Sequence, residues 1–358
     1  MSLGPRTPES PVVREDEGAL DAFLSVRSRL FGIAYRMLGS ATEAEDVVQE
    51  AWVRWQGTDR SVVRNPAAFL TTTVTRLAIN AATSARARRE TYVGPWLPEP
   101  VDTSDDPALG AERAEALEIA TLVLLERLAP VERAVYVLRE AFDYPYRRVA
   151  EILGLTEANA RQLARRARER LGARPAVPVD PGEHRRLLDE FVAAAHDGDL
   201  ARFERYLADD VVARPDGGGK VHASRVELVG LARVSLFLDN VWRKYWADAV
   251  VHVVEANGRP ALLVVVDDAP FALVSLDVTA RGIEHVYLQV NPEKLGGYAA
   301  AGGRAAASRP RRRAPARRRA SPQPAPRRRR ARRCSPRWSR RPPAARLRRT
   351  RRADAARR

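Results

Sequence analysis

The strongest constraint on this chain is a set of helix-opening signals in a fixed order. Thr42 is followed three residues later by Glu45, a capping-box pattern. It opens a stretch in which Val47, Val48, Ala51, Trp52 and Trp55 share one face. Upstream, Leu20, Phe23, Leu24, Leu30, Phe31, Ile33, Ala34, Met37 and Leu38 recur at helical spacing, and Gly39-Ser40 breaks the run. Asn65-Pro66 pairs an N-cap residue with a proline at the first helical position. Phe69, Leu70, Val74, Leu77 and Ala81 then supply a buried stripe. Further on, helical patterns run from Ala111 to Leu128 and from Val131 to Phe142, separated by Pro130. Tyr146 to Leu171 reads as helix-turn-helix: Val149, Ile152 and Leu153, a turn at Gly154-Leu155, Thr156 as N-cap, then Leu163, Ala167 and Leu171 facing inward. The chain should therefore fold into two all-helical modules joined by a linker.

Each helix leaves a polar face with two readings. Glu43, Asp46, Gln49 and Glu50 form a solvated acidic face or a docking surface for a basic partner. Arginines at a helix C-terminus, here Arg86, Arg88 and Arg89, often only answer the helix dipole. With Arg76 and Asn80 higher up the same helix, they also suit phosphate contact plus base-edge reading. Asn159, Arg161, Gln162, Arg165, Arg166 and Arg168 face outward from the second helix of the helix-turn-helix. There, N-terminal residues reach base edges in the major groove, arginine suiting guanine and Asn or Gln adenine. The alternative is an ordinary solvated basic face.

Taken whole, the charge of +16 suggests a nucleic-acid binder. It is unevenly distributed. Residues 299–358 hold 24 Arg against one Asp, leaving 37 basic and 44 acidic residues elsewhere. A segment of Arg, Pro and Ala buries too little apolar surface to offset its ordering entropy, so it reads as a disordered tail. It is either a nonspecific nucleic-acid or membrane arm or, since all three residues have GC-rich codons, out-of-frame translation. Its Cys334 is the chain's single cysteine, which excludes a disulfide framework and a thiolate metal cluster. No signal peptide or apolar run of transmembrane length is present, so a cytoplasmic protein without a membrane partner is expected. The first ~17 residues, Pro-rich and charged, read as a loose leader.

Residues 182–298 carry a different pattern. His184 to Ala208 reads as an amphipathic helical pair broken at Gly198. Strand-like runs follow at Val211–Arg214, Val221–Ser224, Trp246–Val254, Ala261–Val266, Phe271–Val278 and Ile283–Val290. Helices followed by strands argue α+β. His222, His252, His285 and the pair Asp267 and Asp268 are the acid–base candidates, and no spacing links them into a triad or a metal site. No cofactor or metal is expected.

Together, these residues resemble an extracytoplasmic-function (ECF) sigma factor of the sigma-70 family, over about 20–172. Ala44-Glu45-Asp46-Val47-Val48-Gln49-Glu50 is similar to the region 2 helix that docks on RNA polymerase. The resemblance thus implies core-polymerase contact by Glu45, Asp46, Gln49 and Glu50. Asn65-Pro66-Ala67-Ala68-Phe69-Leu70 through Asn80 is similar to the helix engaging the melted minus-ten element, which implies that role for Arg76, Asn80, Arg86, Arg88 and Arg89. Tyr146 to Leu171 is similar to region 4, which implies minus-35 contact by Asn159, Arg161, Gln162, Arg165 and Arg166. Gln162 and Arg165 stand where the family varies, so the promoter sequence does not transfer. Three further motifs resemble the subgroup with a SnoaL-like C-terminal extension: Trp96-Leu97-Pro98-Glu99-Pro100, Asp216-Gly217-Gly218-Gly219-Lys220 and Asn291-Pro292-Glu293-Lys294-Leu295. The resemblance implies a curved sheet wrapped on helices around a cone-shaped pocket.

The expectation is thus multidomain: region 2 at 18–90, linker at 91–110, region 4 at 111–172, an α+β SnoaL-like domain at 182–298, and the disordered tail at 299–358. The partners expected are core RNA polymerase, promoter DNA and an unidentified small ligand in the third domain. Trp96, Leu97, Pro98, Asp216, Gly217, Gly218, Gly219, Asn291 and Pro292 are the candidate interdomain residues through which that domain would act in cis. A polymerase-independent helix-turn-helix regulator with a ligand-sensing domain is one rival, disfavoured by the helices beginning at Thr42 and Asn65. A pocket enzyme fused to a DNA-binding module is another, disfavoured by the missing catalytic constellation.

Overall fold

A computed structural model describes residues 11–103, 118–172, 180–197, 202, 204–246 and 249–298. The leader's first ten residues, linker residues 104–110, the start of the Ala111 pattern, the break at Gly198 and the arginine-rich tail lie outside the described residues.

Four helices open the chain: α1 (Pro11–Leu24), α2 (Arg27–Leu38), α3 (Ala41–Gln56) and α4 (Pro66–Glu90). Glycine ends α2, because Gly39 at φ 64° closes the helix in the left-handed region. The cap of α3 is Ser40, whose side chain accepts from the Glu43 amide, and not Thr42 as the spacing predicts. Thr42 instead lies inside the first turn and meets the linker. Asn65 caps α4 as expected, accepting from Ala68 N at 2.9 Å.

The second helical module contains α5 (Ile119–Leu125), α6 (Pro130–Tyr136) running into a π-helical turn at Val137–Ala141, α7 (Tyr146–Leu153) and α8 (Glu157–Leu171). Gly154 at φ 67° ends α7, and Thr156 starts α8 by accepting from Asn159 N. One continuous apolar core joins the two helical modules, running from Leu30, Ile33, Trp55 and Leu70 to Val135, Leu138, Ile152 and Ala164. At their seam Arg36 lies over the Phe142 ring at 4.9 Å. Nearby, Arg76 Nε donates to the Ile152 carbonyl at 3.1 Å.

The third domain begins with α9 (Pro181–Asp197). Its sheet comprises β1 (Leu207–Asp216), β2 (Leu228–Val229), β3 (Val250–Ala256), β4 (Arg259–Val266), β5 (Ala269–Thr279) and β6 (Gly282–Gln289). The strand order is β2-β1-β6-β5-β4-β3; β1 and β6 run parallel, and the other neighbours antiparallel. A helix, α10 (Leu231–Val241), precedes β3 and continues into a π turn at Trp242–Trp246. Leu188, Phe191, Val234, Leu238, Leu262 and Val286 are among the apolar side chains packed together against one face of the sheet.

Three sequence expectations differ here. Ala208 belongs to β1, not to a helix, because Leu207 pairs with Ile283. Val221–Ser224 is irregular loop: the glycines before it turn the chain out of the sheet. Trp246 belongs to the π turn after α10, and the strand begins only at Val250.

Candidate nucleic-acid interface and interdomain clasp

Along α3, Val47, Val48, Ala51 and Trp55 are buried, which turns Asp46, Gln49 and Glu50 to solvent. Glu50 is paired with Arg54 at 2.6 Å and Glu45 with Arg27 at 2.7 Å. Both pairs are exposed and exchangeable for a partner's charges. On α8, burial of Ala160, Ala164 and Ala167 leaves Asn159, Arg161, Gln162, Arg165 and Arg166 exposed together. Arg161 is held by Glu157 and Arg165 by Glu169, each one turn away on the same helix.

The α4 residues separate. Asn80 and Arg86 are exposed, and Arg88 pairs with Glu43 of α3. Arg76 is committed to the Ile152 carbonyl of α7. Arg89 is turned inward: it pairs with Glu126, donates to the Leu38 carbonyl, and lies 3.6 Å from the Trp96 ring centroid. From the other side, Arg133 donates to the Met37 carbonyl at 2.7 Å and to Glu126 at 2.6 Å. Two arginines thus satisfy the carbonyls that end α2, with Glu126 between them.

The linker motif packs on this corner. Trp96 is half-buried between Arg89 and Lys294, whose Nζ is 4.5 Å from the ring centroid. A Cβ on Gly39 would lie 2.7 Å from the indole, so glycine is needed there for approach as well as for φ. Leu97 is buried with Ile119 and Tyr287. Glu99 reaches the start of α3: its carboxylate accepts from Ser40 Oγ at 2.9 Å, Thr42 N at 3.2 Å and Thr42 Oγ1 at 3.2 Å. Its own amide donates to the Gly39 carbonyl at 2.8 Å. A carboxylate there also answers the positive end of the α3 dipole.

The third domain holds the other side of the linker. Asp216, fully buried at the end of β1, accepts from Tyr92 Oη at 2.6 Å, Leu97 N at 2.8 Å and Lys294 Nζ at 2.8 Å. Lys294 also donates to the Leu97 carbonyl at 2.6 Å. Burial holds the Lys294 ammonium below the usual lysine range, and Asp216 opposes that shift. Burial first, then the Asp216 hydrogen bond, raises the Tyr92 phenol above its ordinary value. Asn291 Nδ2 donates to Tyr92 Oη at 3.1 Å, and Gln289 Nε2 donates to the Pro98 carbonyl at 3.4 Å. Pro292 opens the short helical turn that carries Lys294. Gly218 stands at φ 57°, where a Cβ would lie 2.4 Å from Asn291 Nδ2. The glycine run therefore permits a close backbone approach.

A second contact lies outside the three motifs. The β3–β4 turn, Asn257-Gly258, touches both linker and region 2: Asn257 N donates to the Val101 carbonyl at 2.9 Å, and its Nδ2 to Tyr35 Oη at 2.7 Å. Asn-Gly between alternating strands is itself a strong hairpin signal. Tyr92 and Gln289 carry no such signal, and no periodicity marks them.

The acid–base candidates lie apart from this region, except His222, which is in the loop after the glycines. His285 faces Asp277 at 3.2 Å and stacks on Tyr287, His252 is on β3, and Asp267 and Asp268 form the β4–β5 turn. Among the described residues, no group of three or more His, Cys, Asp or Glu could hold a metal ion, and no helix is long and apolar enough to cross a membrane.

Two helical modules, the second with an exposed helix-turn-helix arginine face, followed by a mixed-sheet domain, define a sigma-type architecture. Comparison with known proteins agrees. The Sigma-70 region 2 family model matches residues 22–88, and the Sigma-70 region 4 model residues 119–171. The ECF RNA polymerase sigma factor SigJ of Mycobacterium tuberculosis is 41% identical over 228 residues, covering 62% of this chain and 73% of that protein. The probable ECF RNA polymerase sigma factor SigI of the same species is 32% identical over 280 residues, 76% of this chain and 93% of that one. The crystal structure of M. tuberculosis SigJ superposes with a TM-score of 0.65 at 34% identity, covering 78% of this chain and 98% of the other. The chain belongs to the ECF sigma factor family. It is an RNA polymerase sigma factor of transcription initiation, with core RNA polymerase and promoter DNA as its partners, and its family is not an enzyme family.

Proposed function

We propose that the third domain regulates this sigma factor in cis, by holding the linker against the helix that docks on polymerase. In this reading Glu45, Asp46, Gln49 and Glu50 contact core polymerase, and Asn80, Arg86 and Arg88 engage the minus-ten strand. Asn159, Arg161, Gln162, Arg165 and Arg166 read minus-35. Arg76 and Arg89 join the minus-ten set only after leaving Ile152 and Glu126. The division at 18–90, 91–110, 111–172, 182–298 and 299–358, a cytoplasmic location, and a small ligand for the third domain belong to the same proposal.

The observation that carries it is Glu99. Its carboxylate binds the first turn of α3, while Leu97, two residues earlier, is held at both its N–H and its C=O by Asp216 and Lys294. A shift of the third domain therefore reaches the polymerase-facing helix through two residues of linker, and biases competent against incompetent poses. In vitro transcription at saturating core polymerase tests it. Ending the chain before Asn291 should change output, because Asn291 and Lys294 are lost. Ending it after about residue 175 should also remove any positive contribution of the domain. Equal output from full-length protein and both folded truncations would leave the domain without a regulatory role.

A further inference from the structure

A cleft of about 370 Å³ opens between the segment leaving α4 and the loop that follows Asp216. Val93 forms one wall, and Val221 and Ala223 stand among the residues opposite. The polar lining is Ser224, His222 and Arg225, with no carboxylate among the lining residues. Several other cationic side chains of this domain are matched: Arg214 with Glu227, Lys220 with Glu293, Arg243 with Asp239 and Arg281 with Asp210. Arg225 and His222 have no such partner among the described residues. Gly219, also in the lining, stands at φ 71°, and a Cβ there would lie 3.2 Å from Val93 Cβ, so a larger residue would be strained and would crowd the Val93 wall.

We infer that this cleft binds a small amphipathic anion, its apolar body on Val93 and Val221 and its phosphate or carboxylate head on Arg225 and His222. The volume lies in the range of small-molecule sites, which pair apolar walls with a few convergent polar groups. An arginine fork matches both head groups. Because the two walls come from the start of the linker and from the third domain, an occupant binds their closed arrangement better than a separated one. By linkage it favours that arrangement. The proposal gives the ligand of the cis-regulatory reading a place and a chemical class, and rests on that reading only for its effect on transcription.

Calorimetric titration of the full-length protein with phenyl phosphate, phenylacetate and neutral phenol tests it, at about 0.15 M salt to weaken diffuse binding to exposed arginines. One of the two anions should bind with one-to-one stoichiometry, the tighter identifying the head group, and phenol should not. Arg225→Gln with His222→Gln should weaken binding about tenfold or more, while Arg243→Gln should not. Both replaced side chains are exposed, so the double variant should melt as the wild type does. Absence of saturable binding up to millimolar concentration overturns the proposal; so does an affinity unchanged in the double variant, which would put the anion elsewhere on the chain. Binding that leaves transcription unaltered would keep the site and count against the regulatory reading.

Discussion

Asn257 donates a 2.7 Å hydrogen bond to the Tyr35 hydroxyl, joining a hairpin turn of the third domain to the second helix of region 2 across 222 positions of sequence. Tyr35 is fully buried and its hydroxyl in turn donates a hydrogen bond to the Glu99 carbonyl at 2.6 Å, so one phenol bridges three parts of the chain. Burial raises its pKa above the ordinary tyrosine value, which keeps it protonated and donating. Tyr35→Phe leaves a buried donor and a buried acceptor unmatched, and should cost about 1–3 kcal/mol. Denaturant unfolding measures it; an unchanged midpoint would mean that the bridge contributes nothing.

If α3 docks on core polymerase as proposed, Asp46→Arg with Glu50→Arg should leave the fold intact, since both side chains are exposed, and abolish binding by placing like charges in contact. The measurement is affinity for core enzyme alongside a melting curve. A folded double variant that binds normally would remove α3 from the interface.

Promoter reading gives a graded expectation. Arg165→Ala should cost about 1–3 kcal/mol at one base pair if it reads a base, or lower the salt slope at every site if it meets phosphate. Replacing Arg161, Gln162 and Arg165 together by alanine should silence a minus-35-dependent promoter. Undiminished transcription from that triple variant would contradict the assignment of α8.

The clasp predicts strong coupling. Asp216→Ala strands the Lys294 ammonium at 14% side-chain exposure and should destabilise by about 3 kcal/mol. Asp216→Ala with Lys294→Met should cost clearly less than the two single losses added together, with a coupling energy above about 1 kcal/mol. Additive losses in a double-mutant cycle would show that the pair acts independently.

His184 supplies a pH dependence. It is buried on α9, its Nε2 has no hydrogen-bond partner, and burial lowers its pKa to about 4 against 6.5 unfolded. The unfolded chain binds the proton first as pH falls, so stability is intact above pH 6.5 and declines between 6.5 and 4. The decline attributable to this residue should reach at most about 3 kcal/mol. Wild type and His184→Leu, melted across that window, should show the smaller slope in the variant. Parallel pH profiles would show that His184 does not titrate with unfolding.

Local physics made the helical modules legible. Capping residues Asn65 and Thr156, the helix-ending Gly39 and Gly154, and apolar side chains at helical spacing each act within a turn or two of their own position. The strands from Ala261 onward show through their β-branched residues and turns in the same way. Helix α10 carried a readable signal in Leu231, Val234, Leu238 and Val241, hidden by its place between strand-like runs. The clasp differs in kind. Resemblance marked its three motifs, but nothing periodic says that Tyr92 meets Asp216 or that Glu99 meets Thr42. Such pairs are long-range and polar, and only the folded backbone brings them together. Arg89 illustrates this: its neighbours in sequence place it with the minus-ten arginines, and its neighbours in space are Glu126 and Trp96.

Hairpin tips are where a chain usually accepts a tag or a grafted loop, because little depends on them. The two tips flanking β4 are unequal in this respect. Asp267-Asp268 is exposed, and its positive φ values suit a tight turn that could be lengthened. Asn257-Gly258 has the same local form but is spoken for: its backbone holds Val101 and Thr103, and its side chain holds Tyr35. A reporter spliced into the first tip would ride along on the molecule, whereas one spliced into the second would part the sheet from the rest of the protein.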